Sequence, residues 1–258
     1  MATEADFLKC VDALNDVTEA FLAARRQSVT WSQYESDRAA FKLMEAVFQN
    51  VNAVSGIAVM PKPGSHLVPA WVLLRSAFEI SLTASWLVTE DDWKEREARW
   101  LGWMKGEEKY QRNIASELRP IPDSDSNQFM DYADQLEQRR RAIMEKLPKD
   151  SRDERPSIPE MLRQCGIDRR YYISYRIGSQ LTHGGPAVCQ ELFVDEVNAI
   201  RRTNVSYSAW VGPLQMAGWS IAHAGSHVLL RTGATEESIE RLVATHDILV
   251  SMSSSLQS

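Results

Sequence analysis

Residues 70–88 of the chain read AWVLLRSAFEISLTASWLV, and this stretch decides the fold. It is apolar on nearly every face of a helix, and Pro69 before it suits a first helical turn, where its missing N–H is not needed. A helix this apolar must be surrounded by other elements, so we predict it at the centre of the fold. Its only charges, Arg75 and Glu79, lie four residues apart and therefore on one side of the helix.

We expect the Arg75/Glu79 pair to be buried, and this burial has two interpretations. Charges in a protein interior are costly unless they are paired, so the two side chains can form an internal ion pair that ties neighbouring helices together. Buried charges also often mark functional sites. The spacing alone leaves both interpretations open.

The rest of the chain carries apolar residues at steps of three and four, the period of amphipathic helices. No alternating run and no Asn-Gly turn argues for strands. We therefore predict an all-α protein, a multi-helix bundle of about eight to ten helices in a single domain. Polar loops are expected near 119–127 and 148–159, and a frayed tail over 253–258.

A nearly uncharged helix is predicted over 205–230, with a break or kink at Gly212 and Pro213. It is rich in Ala, Gly and Ser, which let helices approach closely, so it suits tight internal packing or a dimer contact. Helix starts are indicated where a Ser, Thr or Asp can accept a hydrogen bond from a free backbone N–H. The cap sequences begin at Thr30, Thr89, Ser157 and Thr235, and that of Thr89 runs to Asp92.

Composition restricts the classes of function. The 35 acidic residues exceed the 29 basic ones and give a formal net charge of −6, so the overall field disfavours nucleic acid and any RNA contact must be local. Three cysteines without paired spacing favour a reducing, cytoplasmic location. Residues 67–89 and 203–230 are long enough to span a bilayer, but their internal polar groups favour buried helices and no membrane partner.

A second stretch, residues 171–186, reads YYISYRIGSQLTHGGP and gathers reactive side chains. Four of them follow steps of four, three and four residues, the spacing of one helix face. They are Tyr172, Arg176, Ser179 and His183. A histidine exchanges protons near neutral pH and an arginine holds a phosphate or oxyanion, so these types suit phosphate-ester chemistry. Alternatively, His183 caps the C-terminus of a helix that ends at the Gly-Gly pair.

His223 and His227 are four residues apart, the spacing by which a helix presents two imidazoles to one metal ion. A third ligand would have to come from another part of the chain, such as His246 or Glu79. Buried or interface histidines are the alternative. We keep the metal site as an open alternative and predict no cofactor.

Two segments together resemble a widespread bacterial family of uncharacterised helical proteins. They are LLRSAFEISLTASWL, residues 73–87 with Arg75, Glu79 and Trp86, and YYISYRIGSQLTHGG, residues 171–185 with Tyr175, Ser179 and His183. That family has an Arg-x-x-x-Glu helix and a later Tyr-x-x-x-Ser-x-x-x-His helix, and it is similar to the HEPN superfamily. The resemblance implies a HEPN-like core, and HEPN bundles often dimerise and act as metal-independent ribonucleases in toxin and phage-defence systems.

The resemblance also implies roles for particular residues. HEPN ribonucleases carry an Arg-x4–6-His motif, and six residues separate Arg176 from His183. His183 would act as general acid or base on an RNA 2′-hydroxyl or leaving oxygen, and Arg176 would stabilise the charged transition state at phosphorus. Arg75 and Glu79 would position them. The implied partners are RNA, a second copy of the chain, and an antitoxin or other protein.

A function of a different class is also open. The chain would then be a non-catalytic helical module that binds a small ligand or a protein partner in one pocket. The residues of that pocket are Arg75, Glu79, Tyr175, Ser179 and His183. Both hypotheses depend on whether the two segments meet in space.

Overall fold

The computed structural model describes residues 3–27, 32–61, 66–122, 124–148, 155–167, 172, 175–176, 178–180 and 207–256 of the 258-residue chain. These residues form helices and contain no strand, which confirms the predicted all-α bundle. The α-helices are α1 (Glu4–Gln27), α2 (Glu35–Ala58), α3 (Leu67–Val88), α4 (Trp93–Leu118), α5 (Ser126–Met144), α6 (Ile158–Gln164), α7 (Val211–Arg231) and α8 (Glu236–Ser255). A 3-10 helix, Tyr207–Trp210, leads into α7, and the described residues between 172 and 180 are also helical.

Helix α3 lies at the centre of the bundle, as its composition predicts, and packs against α2, α7 and α6. Every residue from 81 to 88 is buried, because helices enclose this half of α3 on all sides. Trp86 is 2% exposed, and its indole N–H donates a hydrogen bond of 2.8 Å to Gln164 Oε1 of α6. Trp86 therefore holds the short helix α6 on the core.

Among the described helices, α3 alone is long and apolar enough to cross a bilayer by length and composition. In its most apolar window, 56% of the residues are buried inside the protein. Such burial is typical of the core helix of a soluble protein, in which other helices take the place of lipid.

Helix α1 packs mainly on α8, and α7 lies against both of them as well as against α2 and α3. Close approach depends on glycines of α7. A Cβ on Gly225 would lie 2.9 Å from Phe21 Cδ2 of α1, and a Cβ on Gly218 would overlap Leu249 Cδ2 of α8. The small residues of α7 thus serve tight internal packing, one of the two roles predicted for them.

The helix is not broken at Gly212 and Pro213 as predicted, and the irregular segment lies earlier in the chain. The α-helix begins at Val211, so Pro213 occupies its first turn, where no intrahelical hydrogen bond is lost. The irregular segment is instead the preceding 3-10 helix, Tyr207–Trp210. Trp210 closes it with a fully buried side chain.

The prediction of a frayed tail over residues 253–258 is wrong for residues 253–256. Helix α8 continues to Ser255, Ser253 is fully buried and Leu256 is 2% exposed. Leu249 and Leu256 are seven residues apart, two helical turns, and therefore extend one buried face of α8. Residues 257–258 lie outside the described residues.

One predicted helix cap forms its hydrogen bond, because the Thr235 side chain accepts from the backbone N–H of Ser238. The cap predicted at Thr89 is wrong: Thr89 is the C-cap of α3, and the N-cap of α4 is Asp92, whose side chain accepts from the Lys94 N–H. Ser157 occupies the N-cap position of α6, as predicted, but its side chain makes no capping hydrogen bond. The cap predicted at Thr30 lies outside the described residues.

A buried polar cluster joins the beginnings of α2 and α4, and the sequence did not predict it. Arg96 Nε lies 3.0 Å from Asp37 Oδ1, and both side chains are almost fully buried. Glu97 Oε1 accepts from the backbone N–H and hydroxyl of Ser36 at 2.8 and 2.9 Å. Burial raises the pKa of the Glu97 carboxyl. The cluster is fully enclosed, so its role is to fix α2 against α4.

The connection from α3 to α4 is held by one arginine of α4 and one of α7. Arg99 of α4 donates to the Trp86 carbonyl at 2.5 Å, and Arg231 of α7 donates to the Val88 carbonyl at 3.1 Å. Arg231 also binds the Asp91 carboxylate at 2.6 Å. These cations satisfy carbonyl groups that have no partner within the last turn of α3, where the helix dipole favours positive charge.

Candidate functional site

The Arg75/Glu79 pair forms as predicted, but it is not buried. Arg75 Nε lies 3.3 Å from Glu79 Oε1, and the two side chains are 23% and 35% exposed. The enclosed part of α3 begins only at residue 81, whereas the preceding half has an exposed side. The pair therefore lies on an accessible side of the central helix.

Tyr175 connects the second predicted segment to this pair. Its hydroxyl donates a hydrogen bond of 2.8 Å to Glu79 Oε1, and its ring stacks on Phe78 with the centroids 5.4 Å apart. The Arg75 guanidinium lies 5.9 Å from the centre of the Tyr175 ring, within the range of a cation–π contact. Arg75, Glu79 and Tyr175 thus form one polar cluster, and the two segments meet through it.

Burial and the neighbouring Glu79 carboxylate raise the pKa of Tyr175. The hydroxyl consequently stays protonated at neutral pH, as its role as donor to Glu79 requires. Each oxygen of a carboxylate can accept more than one hydrogen bond, so Glu79 Oε1 serves both Tyr175 and Arg75.

Gly178 allows the second segment to approach α3 closely. A Cβ at this position would lie 3.3 Å from the ring of Trp71 and 3.7 Å from Arg75 Cβ. Tyr175 and Gly178 are three residues apart and form the face that packs on α3. This face is not the stripe predicted from the sequence.

The described members of the predicted stripe lie beside that contact face. Arg176 is exposed and its guanidinium is 5.9 Å from the centre of the Tyr172 ring, while Tyr172 and Ser179 are half-buried. Tyr172 stacks with Tyr175 at 5.9 Å between centroids, which links Arg176 to the Glu79 cluster through two aromatic rings. His183 lies outside the described residues.

Arg155 is a further cation at this site, and the sequence did not single it out. Its Nη2 donates to Thr83 Oγ1 at 3.2 Å, and the Thr83 hydroxyl donates to the Glu79 carbonyl at 2.8 Å. Arg155 comes from a charged loop in which no spacing rule predicts a partner. Only the contact with α3 reveals that it lies one turn from Glu79.

Three histidines of α7 and α8 lie together elsewhere in the bundle. The rings of His223 and His227 are 4.7 Å apart, and His223 stacks on Trp219 at 5.0 Å. Burial lowers the pKa of His223 to about 4, with further contributions from His227 and His246, and burial also lowers the pKa values of the latter two. The Nε2 atoms of His223 and His246 have no hydrogen-bond partner among the described residues.

The metal hypothesis for His223 and His227 needed a third ligand. Within the described ranges, no group of three or more His, Cys, Asp or Glu side chains is placed to hold a metal ion. Glu79, one of the two suggested third ligands, is instead bound to Arg75 and Tyr175. His246, the other suggested ligand, lies near His223, and all three histidine side chains are partly buried.

The fold and the site define a class: an all-α bundle whose central helix carries a partly exposed Arg/Glu pair, joined by a tyrosine of a later helical segment. Residues 47–200 match the model of a protein family described as a family of unknown function, DUF5677. The match covers more than half of the chain, so the chain belongs to this family, and it includes both segments of the site. No curated protein and no solved structure matches the chain.

Proposed function

We propose that the chain is a HEPN-like, metal-independent ribonuclease whose reacting residues are Arg176 and His183. The observation that carries the proposal is the 2.8 Å hydrogen bond from Tyr175 to Glu79, because it fixes the segment of Arg176 on the central helix while leaving Arg176 exposed. Arg75 and Glu79 act as positioning residues, since Glu79 binds both Arg75 and the Tyr175 hydroxyl.

In this mechanism His183 removes the proton from an RNA 2′-hydroxyl, or donates a proton to the leaving 5′-oxygen. The 2′-oxygen attacks the adjacent phosphorus, the bond to the 5′-oxygen breaks, and a 2′,3′-cyclic phosphate and a 5′-hydroxyl result. Arg176 stabilises the negative charge that develops on the phosphoryl oxygens. General acid–base catalysis of this kind contributes about 10²- to 10⁴-fold to the rate.

The distribution of charge supports a local RNA contact. The chain as a whole carries −6, which repels a polyanion, but three arginines lie along this part of the fold. Arg75 pairs with Glu79, Arg155 donates to Thr83 one turn further along α3, and Arg176 is exposed on the segment bound to Glu79. A local excess of arginine can hold a phosphate where the overall field does not. We extend the proposal to a cytoplasmic homodimer that serves as a toxin or in phage defence, with an antitoxin or other protein as its partner.

Cleavage of RNA by the purified protein in the presence of EDTA tests the proposal. We expect Arg176→Ala and His183→Ala each to reduce cleavage at least about 100-fold, with unchanged helical circular dichroism. Arg163→Ala is the matched control, because Arg163 is an exposed arginine of α6 whose ion pair is with Glu160 of the same helix. Its cleavage rate should equal that of the unaltered chain.

Absence of cleavage, or cleavage that survives both changes, would contradict the ribonuclease proposal. The second candidate function, a non-catalytic binding module, is favoured by one observation: Glu79 is already engaged by both Arg75 and Tyr175. That closed arrangement suits a structural or ligand-positioning role. A protein that binds RNA or a small ligand at this site without turnover would establish it.

A further inference from the structure

A cleft opens between α2 and α5 on the surface of α4. Both α2 and α5 pack on α4, but they make few contacts with each other. The space between them amounts to about 660 Å³. This volume falls within the range of small-molecule sites, which is about 300–1,000 Å³.

The floor of the cleft is apolar and aromatic. Trp100, Trp103 and Met104 of α4 form it, and Leu136 and Tyr132 of α5 form one wall. Trp103 is partly exposed and Tyr132 is 46% exposed, so two aromatic side chains remain accessible to a ligand. A flat ring system can stack on such side chains, and its apolar faces would replace water there.

The rim of the cleft carries an excess of positive charge. Arg38 and Lys42 of α2 and Arg139 of α5 lie on it, against the two carboxylates of Glu35 and Glu107. Three cationic groups against two anionic ones leave one positive charge in a chain whose total is −6. A local field of opposite sign to that of the whole molecule selects a ligand that carries negative charge.

Glu35 organises part of this rim. Its carboxylate binds Arg139 across the end of the cleft and Arg38 at 3.4 Å on its own helix. Arg139 in turn lies 5.6 Å from the centre of the Trp100 ring. Lys42 is exposed and forms no ion pair with any described residue, so its ammonium group is the cation most available to an incoming anion.

We propose that this cleft binds a small planar aromatic ligand that carries an acidic group. The ring lies against Trp103 and Tyr132, and the acidic group is bound by Lys42. Nucleoside monophosphates and aromatic carboxylates share this chemistry. The site is formed by α2, α4 and α5, whereas the proposed ribonuclease site is formed by α3 and residues 172–180, so the two proposals stand independently.

Isothermal titration calorimetry with the full chain tests the proposal. The anionic probes are AMP and indole-3-carboxylate, and their uncharged counterparts are adenosine and indole. We expect saturable binding of at least one anionic probe, about tenfold tighter than its uncharged counterpart, because a charge-assisted contact with Lys42 is absent in the latter. Saturable binding of AMP or of indole-3-carboxylate shows whether the ligand is a nucleoside monophosphate or an aromatic carboxylate.

Two variants and two controls locate the binding. Tyr132→Ala should weaken the binding of the anionic probe roughly tenfold, because ring stacking is lost. Lys42→Ala should weaken the binding of the anionic probe by about the same factor and leave the affinity for the uncharged probe unchanged. Both residues are exposed enough for the variants to fold. Tyr110→Ala and Lys109→Ala, exposed positions of α4 outside the cleft, should bind like the unaltered chain.

Four outcomes would overturn the proposal. The first is that neither anionic probe saturates at millimolar concentration. The second is that binding persists unchanged in both Tyr132→Ala and Lys42→Ala. The third is that inorganic phosphate alone binds as tightly as AMP, and the fourth is that the uncharged probes bind as tightly as the anionic ones. None of these outcomes depends on whether the protein cleaves RNA.

Discussion

Tyr175 combines two interactions that belong to different parts of the candidate site. Its ring packs on Phe78 in the core, and its hydroxyl satisfies a carboxylate that is partly exposed. Burial and the Glu79 carboxylate raise the pKa of Tyr175 above its ordinary value near 10, so the phenol is protonated at neutral pH and can donate. One side chain therefore fixes both the position and the rotation of the segment that carries Arg176.

Tyr175→Phe tests that role at the level of a single atom. It keeps the ring and removes the hydrogen bond to Glu79, so we expect a loss of about 1–1.5 kcal/mol in the free energy of unfolding, measured by urea denaturation. Tyr172→Phe is the control, since the Tyr172 hydroxyl makes no hydrogen bond to a described residue and the change should be nearly neutral. Equal effects of the two changes would show that the Glu79 contact contributes nothing particular.

Helix α7 is placed by its glycines as much as by its large residues. Gly225 faces the buried ring of Phe21, and Gly218 faces Leu249, which is also fully buried. These contacts leave no space for a methyl group, although glycine is a poor helix former. The glycines of α7 are therefore explained by the close packing of this helix against α1 and α8.

Gly225→Ala should destabilise the protein by about 1 kcal/mol or more, because the strain of overpacking exceeds the gain in helix propensity. The comparison is Gly106→Ala in α4, where an added Cβ meets nothing within 4 Å. That change should stabilise the protein by roughly 0.5–1 kcal/mol. Thermal unfolding of both variants measures the difference, and a shift in the same direction for both would refute the packing argument.

Element identity could be predicted from the sequence because apolar periodicity records which side of each helix is covered. The sequence specifies less clearly the rotation of a helix about its axis, that is, which of its faces packs against a neighbour. Over 172–180 helical spacing selected the polar stripe of Tyr172, Arg176 and Ser179. The family resemblance instead named Tyr175, which together with Gly178 makes the contact with α3. Tyrosine is polar at one end only, so a list of reactive types does not reveal which tyrosine is buried.

Burial of charge is harder still to predict. Arg75 and Glu79 stand in an apolar stretch and are partly exposed, whereas Arg96 and Glu97 stand among many charges and are buried. Their burial depends on a distant partner, the start of α2 with Asp37 and Ser36, which local sequence does not specify. The one available signal is the position of Arg96 and Glu97 between Trp93 and Trp100.

At the scale of the whole molecule, the histidine cluster links stability to pH. The pKa of His223 is lowered to about 4 in the folded state, against an ordinary value near 6.5 in the unfolded chain. Below pH 6.5 the unfolded state therefore binds more protons than the folded state, so stability falls as the pH falls toward 4. The carboxylate of Asp247, 3.8 Å from His246 Nδ1, moderates the effect at that histidine only.

We expect the free energy of unfolding to decrease by about 2 kcal/mol between pH 7 and pH 5 through His223 alone. Urea denaturation across this range measures it, and few carboxylates of ordinary pKa titrate there. His223→Gln should flatten the dependence, while His66→Gln, a change at the start of α3 outside the cluster, should not. A profile that stays equally steep in His223→Gln would assign the pH dependence to other groups.

The pairing of α1 with α8 has a consequence for synthesis on the ribosome. The apolar face of α1, with Phe7, Leu14 and Phe21, is covered mainly by helices that are translated last. While α2 to α6 emerge, that face stays open to solvent or to chaperones, and the bundle closes only after α8 has left the exit tunnel. A ribosome that stalls within α7 therefore releases a chain with an uncovered first helix, a form that quality-control proteases can distinguish from the finished protein.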